Sequence, residues 1–145
     1  MELRNKVVVV TGGASGIGTG LCRRFRAEGV RGLVIADLTG EAAAALATEL
    51  DGISYALDVR DEAAVAAMVA ETEAAFGQID LFCSNAGILN LDGGDYRATS
   101  SPNDVWQRNW EVHVMAHIYA ARACLPAMIS RGEGYFCTRS LPLAY

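Results

Sequence analysis

The stretch "VTGGASGIG", residues 10 to 18, constrains this chain more than any other. A run of valines, Val7 to Val10, leads straight into a turn where Gly12, Gly16 and Gly18 recur at short spacing. Glycine lets the backbone adopt conformations that a Cβ forbids and approach a ligand or another element closely. A strand that ends in such a turn and then starts a helix gathers unpaired N–H groups and the positive end of a helix dipole at one point. That combination suits phosphate oxygens. Glycine turns also serve purely steric ends, so the surrounding pattern has to carry the rest of the inference.

The pattern is one of Val- and Ile-rich runs alternating with alanine-rich helical stretches, which implies βα units around a parallel sheet. The spacing predicts strands near 6–11, 33–37, 53–57, 79–84 and 134–137. Helices are expected near 16–28, 40–50, 62–76 and 103–130, with a break in the last. Gly29 and Gly77 stand where helix C-caps belong, and Asp61 is a good N-cap. Val65, Met68, Val69, Thr72 and Phe76 share one helical face that packs on the sheet. At 145 residues and 52% hydrophobic composition, one domain with a real core is expected, without repeat or linker. The Gly-, Asp- and Ser-rich segment from Leu89 to Asn103 reads as a loop after the fourth strand, beyond whose carboxyl end ligands bind in open α/β sheets.

Charge and cysteine usage narrow the function classes. A net charge of −5 argues against a nucleic-acid partner, since phosphate binding needs a basic surface. Arg23, Arg24 and Arg26 fit the solvated face of a helix. Cys22, Cys83, Cys124 and Cys137 form no C-x-x-C pair and have no histidine at ligand spacing, which predicts reduced thiols in a cytoplasmic protein and no metal site. No signal peptide or membrane anchor is expected. The apolar stretch Val112 to Ile129 is interrupted by His113, His117, Arg122 and Pro126, so it reads as a buried or interface helix.

Asp37 sharpens the phosphate argument. It ends the second predicted strand, nineteen residues past Gly18, where a carboxylate can accept hydrogen bonds from both adenosine ribose hydroxyls. A 2′-phosphate there would meet like charge. Leu38 follows, and neither Gly13 nor Ala14 brings a basic side chain, so NAD(H) is preferred over NADP(H). The alternative for Asp37 is an ordinary turn residue.

With "TGGASGIG" (Thr11 to Gly18), "ADL" (Ala36 to Leu38), "LDV" (Leu57 to Val59) and "SNAG" (Ser84 to Gly87), the chain resembles the short-chain dehydrogenases/reductases up to about Phe136. The resemblance implies a Rossmann-type, doubly wound α/β fold with strand order 3-2-1-4-5, cut short after about five strands, and hydride transfer between nicotinamide and a secondary alcohol or ketone. It places Gly12, Ser15, Gly16, Gly18 and the N–H of Ile17 at the pyrophosphate, and Asp37 with Leu38 at the ribose. Asp58 would bind the adenine amino group, with Val59 lining its pocket. Asn85, Ala86 and Gly87 would brace the central sheet and pass beside the cofactor ribose. The family's helix-bundle interface would use the 103–130 helix, which makes a homo-oligomer an expectation.

The catalytic set of that family is a Ser, a Y-x-x-x-K pair and a supporting Asn, and this chain departs from it. His113 holds the position of the Asn in "WEVHVMAHIY"; it is either a packed helix residue or a member of a water relay. Ser140 comes one position before the expected serine, where Leu141 stands, and no Y-x-x-x-K occurs in these 145 residues. The alternative to an enzyme is therefore an inactive nucleotide-binding or interaction module. Residues 137–145, "CTRSLPLAY", form an atypical tail, expected to be read out of frame. If one base was lost after the Phe136 codon, the bases that now encode the tail permit L-H-T-V-S-A-A-G-L in the original frame, with a serine fifth after "GYF". The coding DNA tests this: the shifted frame should carry that serine codon and a Y-x-x-x-K further on, and the lack of either refutes the shift.

Overall fold

The computed structural model describes residues 1–89 and 100–139. Its five strands are β1 (Val7–Thr11), β2 (Gly32–Asp37), β3 (Ile53–Ala56), β4 (Leu81–Ser84) and β5 (Tyr135–Thr138). They form one sheet in the order β3-β2-β1-β4-β5, and every pairing is parallel. This is the expected Rossmann-type topology. Parallel neighbours require crossovers, supplied by α1 (Gly16–Ala27), α2 (Gly40–Glu49), α3 (Glu62–Phe76), α4 (Asn103–Trp110) and α5 (Ala116–Arg131).

All four valines of β1 are fully buried, because helices cover both faces of the sheet. Strand alternation divides them. Val7 and Val9 join Val34, Val65, Met68, Cys124 and Met128 on the α3/α5 side. Val8 and Val10 join Cys22, Phe25, Leu33, Ile35 and Leu46 on the α1/α2 side. The predicted α3 face is as expected, with Val65, Met68, Val69 and Thr72 buried and Phe76 packed against the core. Asp61 caps α3 by accepting from Ala64 N at 3.0 Å. Gly77 takes φ +79 at its C-cap, and Gly29 takes φ +81 just past α1.

The long C-terminal helix is broken by a π-helical turn, Glu111–Met115, between α4 and α5. As one run, Asn103–Arg131 has the length and apolar composition to cross a membrane. Here Ala116, Ala120, Cys124 and Met128 turn inward, and the last three enter the sheet core. Strand β5 lies at the edge, mostly exposed, held by parallel pairing to β4 and by stacking of Phe136 on Phe82 with ring centroids 5.7 Å apart.

At the amino ends of the strands Asp80 ties several elements together. Its buried carboxylate accepts from Val7 N at 2.8 Å and from Lys6 Nζ at 3.2 Å, while Lys6 Nζ also reaches Glu133 at 2.8 Å. Asp80→Ala would leave the Val7 N–H buried without an acceptor, at a cost of about 1–3 kcal/mol. The expected outcome is a lower urea midpoint at unchanged slope; an unchanged midpoint would contradict the role given to Asp80.

Candidate functional site

At the carboxyl ends of β1 and β4 the chain changes direction, with β2 on one side of β1 and β4 on the other. Such a switch point leaves a crevice. Its floor is a hydrogen-bonded stitch. Thr11 Oγ1 accepts from the N–H of Asn85 at 3.1 Å and of Ala86 at 3.2 Å. The Asn85 amide donates back to Thr11 O at 3.0 Å and Gly12 O at 3.2 Å. Asn85 is 6% exposed, and its Oδ1 has no partner.

Above the floor, glycines let main chain meet main chain. A Cβ on Gly18 would overlap the Gly12 carbonyl oxygen, and one on Gly12, at φ +62, would sit 2.8 Å from Ala86 Cα. Gly16, at φ +48, instead faces open space. The α1 N-cap, Ser15, makes no side-chain cap bond, and no acidic residue lies in the first turn. The first turn of α1 therefore supplies no side chain of its own to its orphan N–H groups.

Asp37 lines a cleft of about 520 Å³ that Gly12 and Ser15 also line. Its Oδ2 accepts from Ala14 N at 3.0 Å and its Oδ1 from Thr39 N at 3.0 Å. Both oxygens are thereby oriented, and each keeps a lone pair for a hydroxyl donor. The cleft is lined by Gly12, Ser15, Asp37, Leu38, Asp58 and Val59 together with Ala86 and Gly87. A smaller cleft of about 140 Å³ shares Gly12, Ser15, Ala86 and Gly87 and adds Gly16, Ile17, Gly18 and Asn85. The structure thus brings every residue singled out for cofactor contact to one crevice. Ile17 and Leu38, exposed at 56% and 73%, present apolar surface along it.

Asp58 carries a partner that the sequence did not announce. Arg60 donates to it through Nε at 3.0 Å and Nη2 at 2.6 Å, and this guanidinium holds the carboxyl below its usual range. His113 sits in the π-helical turn, with Nε2 2.9 Å from Ile88 O and its ring against Gly87. It is half-buried and engaged with backbone. Ser140 lies outside the described residues.

Comparison with known proteins identifies the family. The sequence model described as short chain dehydrogenase matches residues 6–137. The chain belongs to that family. It is 37% identical over 130 residues to the 2-dehydro-3-deoxy-L-rhamnonate dehydrogenase (NAD(+)) of Sphingomonas sp. (strain SKA58), covering 89% of this chain and 51% of that one. To 3beta-hydroxysteroid dehydrogenase 2 of Eggerthella lenta it is 38% identical over 140 residues, covering 91% and 51% respectively. A solved putative short-chain dehydrogenase from Novosphingobium aromaticivorans superposes with a TM-score of 0.83 at 25% identity, covering 94% of this chain and 52% of that one. The chain spans about half the length of the curated relatives it matches.

Sequence reasoning did not single out Arg60 or Arg108 in the larger cleft, Arg139 in the smaller one, or the pair formed by Ser84 Oγ and His117 Nδ1 at 2.6 Å. The "DVR" run could have flagged Arg60 as a neighbour of Asp58. Ser84 and His117 had no local signal, because the fold joins them across 33 residues. Burial, reinforced by His113 one turn away, holds the His117 imidazole below its ordinary value of 6.5. The unfolded chain then takes up this proton more readily than the folded one. The stabilising contribution is complete above about pH 6.5 and is lost as pH falls below it toward the folded value. A urea midpoint lower at about pH 5.5 than at about pH 8 is expected, with His117→Gln narrowing the difference. An equal pH difference in the variant would contradict the assignment.

Proposed function

We propose that the crevice binds NAD(H) in preference to NADP(H), and that the chain is the cofactor-binding half of an oxidoreductase acting on a secondary alcohol or ketone. The observation that carries the reading is Asp37, oriented by two backbone N–H groups in a cleft that it shares with Gly12 and the α1 N-cap, Ser15. A dinucleotide fits these groups. The open α1 turn would take the pyrophosphate, Asp37 the ribose hydroxyls, and Ile17, Leu38 and Val59 the apolar faces. The buried, unpartnered Oδ1 of Asn85 calls for a donor, which a sugar hydroxyl can provide. A 2′-phosphate beside Asp37 would bring two anions together, which favours the unphosphorylated ribose. The printed name of the Sphingomonas relative, which specifies NAD(+), supports the same choice.

Bound nicotinamide supplies or accepts the hydride. The protein's part in that chemistry would be to hold the ring and to move a proton at the substrate oxygen. The 145 residues contain no Y-x-x-x-K for the proton step, and His113 is occupied with Ile88 O. These two facts favour a second reading for the chain taken alone: nucleotide binding without turnover. The scattered cysteines, with no C-x-x-C pair in the sequence, fit a cytoplasmic setting. The acidic charge balance supports small-molecule over nucleic-acid partners, and the family's helix interface supports self-association.

Fluorescence titration tests the cofactor assignment. Asp37→Ala should weaken NADH by about tenfold or more, the worth of hydrogen bonds to a charged acceptor, and leave NADPH less affected. Equal losses, or a wild-type preference for NADPH, would overturn it. Alcohol-dependent reduction of NAD by this chain at about 1 per second or faster would overturn the second reading.

A further inference from the structure

We propose that Arg139 is a pyrophosphate-binding residue whose guanidinium closes the crevice opposite the N-terminal turn of α1. The inference rests on the cofactor reading above and adds a contact that no motif in the sequence announces. The Arg139 backbone N–H donates to Ser84 O at 3.3 Å, so the residue extends the β5 pairing along β4 to the crevice. From there its Nη2 reaches to 3.2 Å from the position a Cβ on Gly87 would take. It lines the same small cleft as Gly16, Ile17 and Gly18.

Three observations point to an anion between these groups. No carboxylate among the described residues pairs with Arg139. The turn facing it has neither a side-chain cap bond nor an acidic residue, so a full positive charge and the positive end of a helix dipole meet one concavity without compensation. This happens in a chain whose net charge is −5, where acidic partners for an arginine are plentiful elsewhere. Independently, Asn85, 6% exposed and lining the same cleft, has a buried Oδ1 without a partner. An anion flanked by hydroxyl donors satisfies both demands at once. A diphosphate joined to ribose has that chemistry, and inorganic phosphate lacks its sugar hydroxyls. Arginine suits the role because its planar fork can engage two phosphate oxygens together.

Calorimetric titration of the 145-residue chain with NADH, ADP-ribose and adenosine tests this. Arg139→Gln should weaken NADH and ADP-ribose by about tenfold or more, with adenosine unchanged and a shallower dependence on salt. Arg139→Lys should recover part of the affinity by restoring the charge without the fork. Asp37→Ala, by contrast, should weaken all three ligands, because each carries the adenosine ribose. Unchanged ADP-ribose affinity in Arg139→Gln, with Asp37→Ala weakened, would overturn the Arg139 role and leave the cofactor reading standing. Equal loss of adenosine and ADP-ribose in both Arg139 variants would show a structural effect and overturn the role. A wild-type chain that binds neither NADH nor ADP-ribose would overturn the cofactor reading, and the Arg139 role with it.

Discussion

The start of α1 lies against the end of β1 so closely that no side chain fits between them. Gly18 meets the Gly12 carbonyl, Gly12 meets the Ala86 main chain, and the Asn85 amide bonds to both Thr11 O and Gly12 O. The consequence is geometric. With backbone against backbone, the first turn of α1 stands at the crevice beyond the ends of β1 and β4. A larger residue at Gly12 or Gly18 would push helix and strand apart and close or skew that opening. The buried valines of β1 and the two layers of helices hold the strand in place, and the turn converts that rigidity into a binding surface.

Electrostatics then gives the crevice a direction. One pole is the N-terminus of α1, with no acidic residue in its own first turn. The other is the Asp37 carboxylate, fixed by the N–H groups of Ala14, in the glycine turn, and of Thr39. A ligand with a diphosphate at one point and vicinal hydroxyls at another matches both. Arg60 modifies the picture beyond Asp37, since it already engages Asp58 and reaches toward Glu111 at 3.7 Å. A ligand amino group at Asp58 would share that carboxylate with a guanidinium already in place.

What could be read from the sequence was what is local in the sequence. The glycine turn, the acidic residue at the end of β2 and the face of α3 each depend on residues a few positions apart, and all three fall where the spacing put them. Element edges moved by a residue or two for tertiary reasons. β2 begins at Gly32, which pairs with Val7 and whose missing side chain leaves room for the Phe76 ring, 2.8 Å from where a Cβ would lie. β4 begins at Leu81, after Asp80 has turned its carboxylate to the Val7 N–H. The break in the long helix was legible as a break, but its π-helical form was not. Pairings across many residues left no trace. Ser84 with His117, and Arg139 beside Gly87, exist only because the parallel sheet and the last helix bring distant positions to one end of the fold.

The central claim is that a glycine turn, through its backbone, holds a dinucleotide at the β1/β4 switch point. A two-dimensional amide NMR titration of the ¹⁵N-labelled chain with NADH examines those N–H groups directly. The account predicts saturable shifts concentrated in the amides of Gly12 to Gly18, with Asp37 and Ala86 following the same binding curve. Shifts confined to the outer surface of α4 and α5, or a spectrum that NADH leaves unchanged, would contradict it.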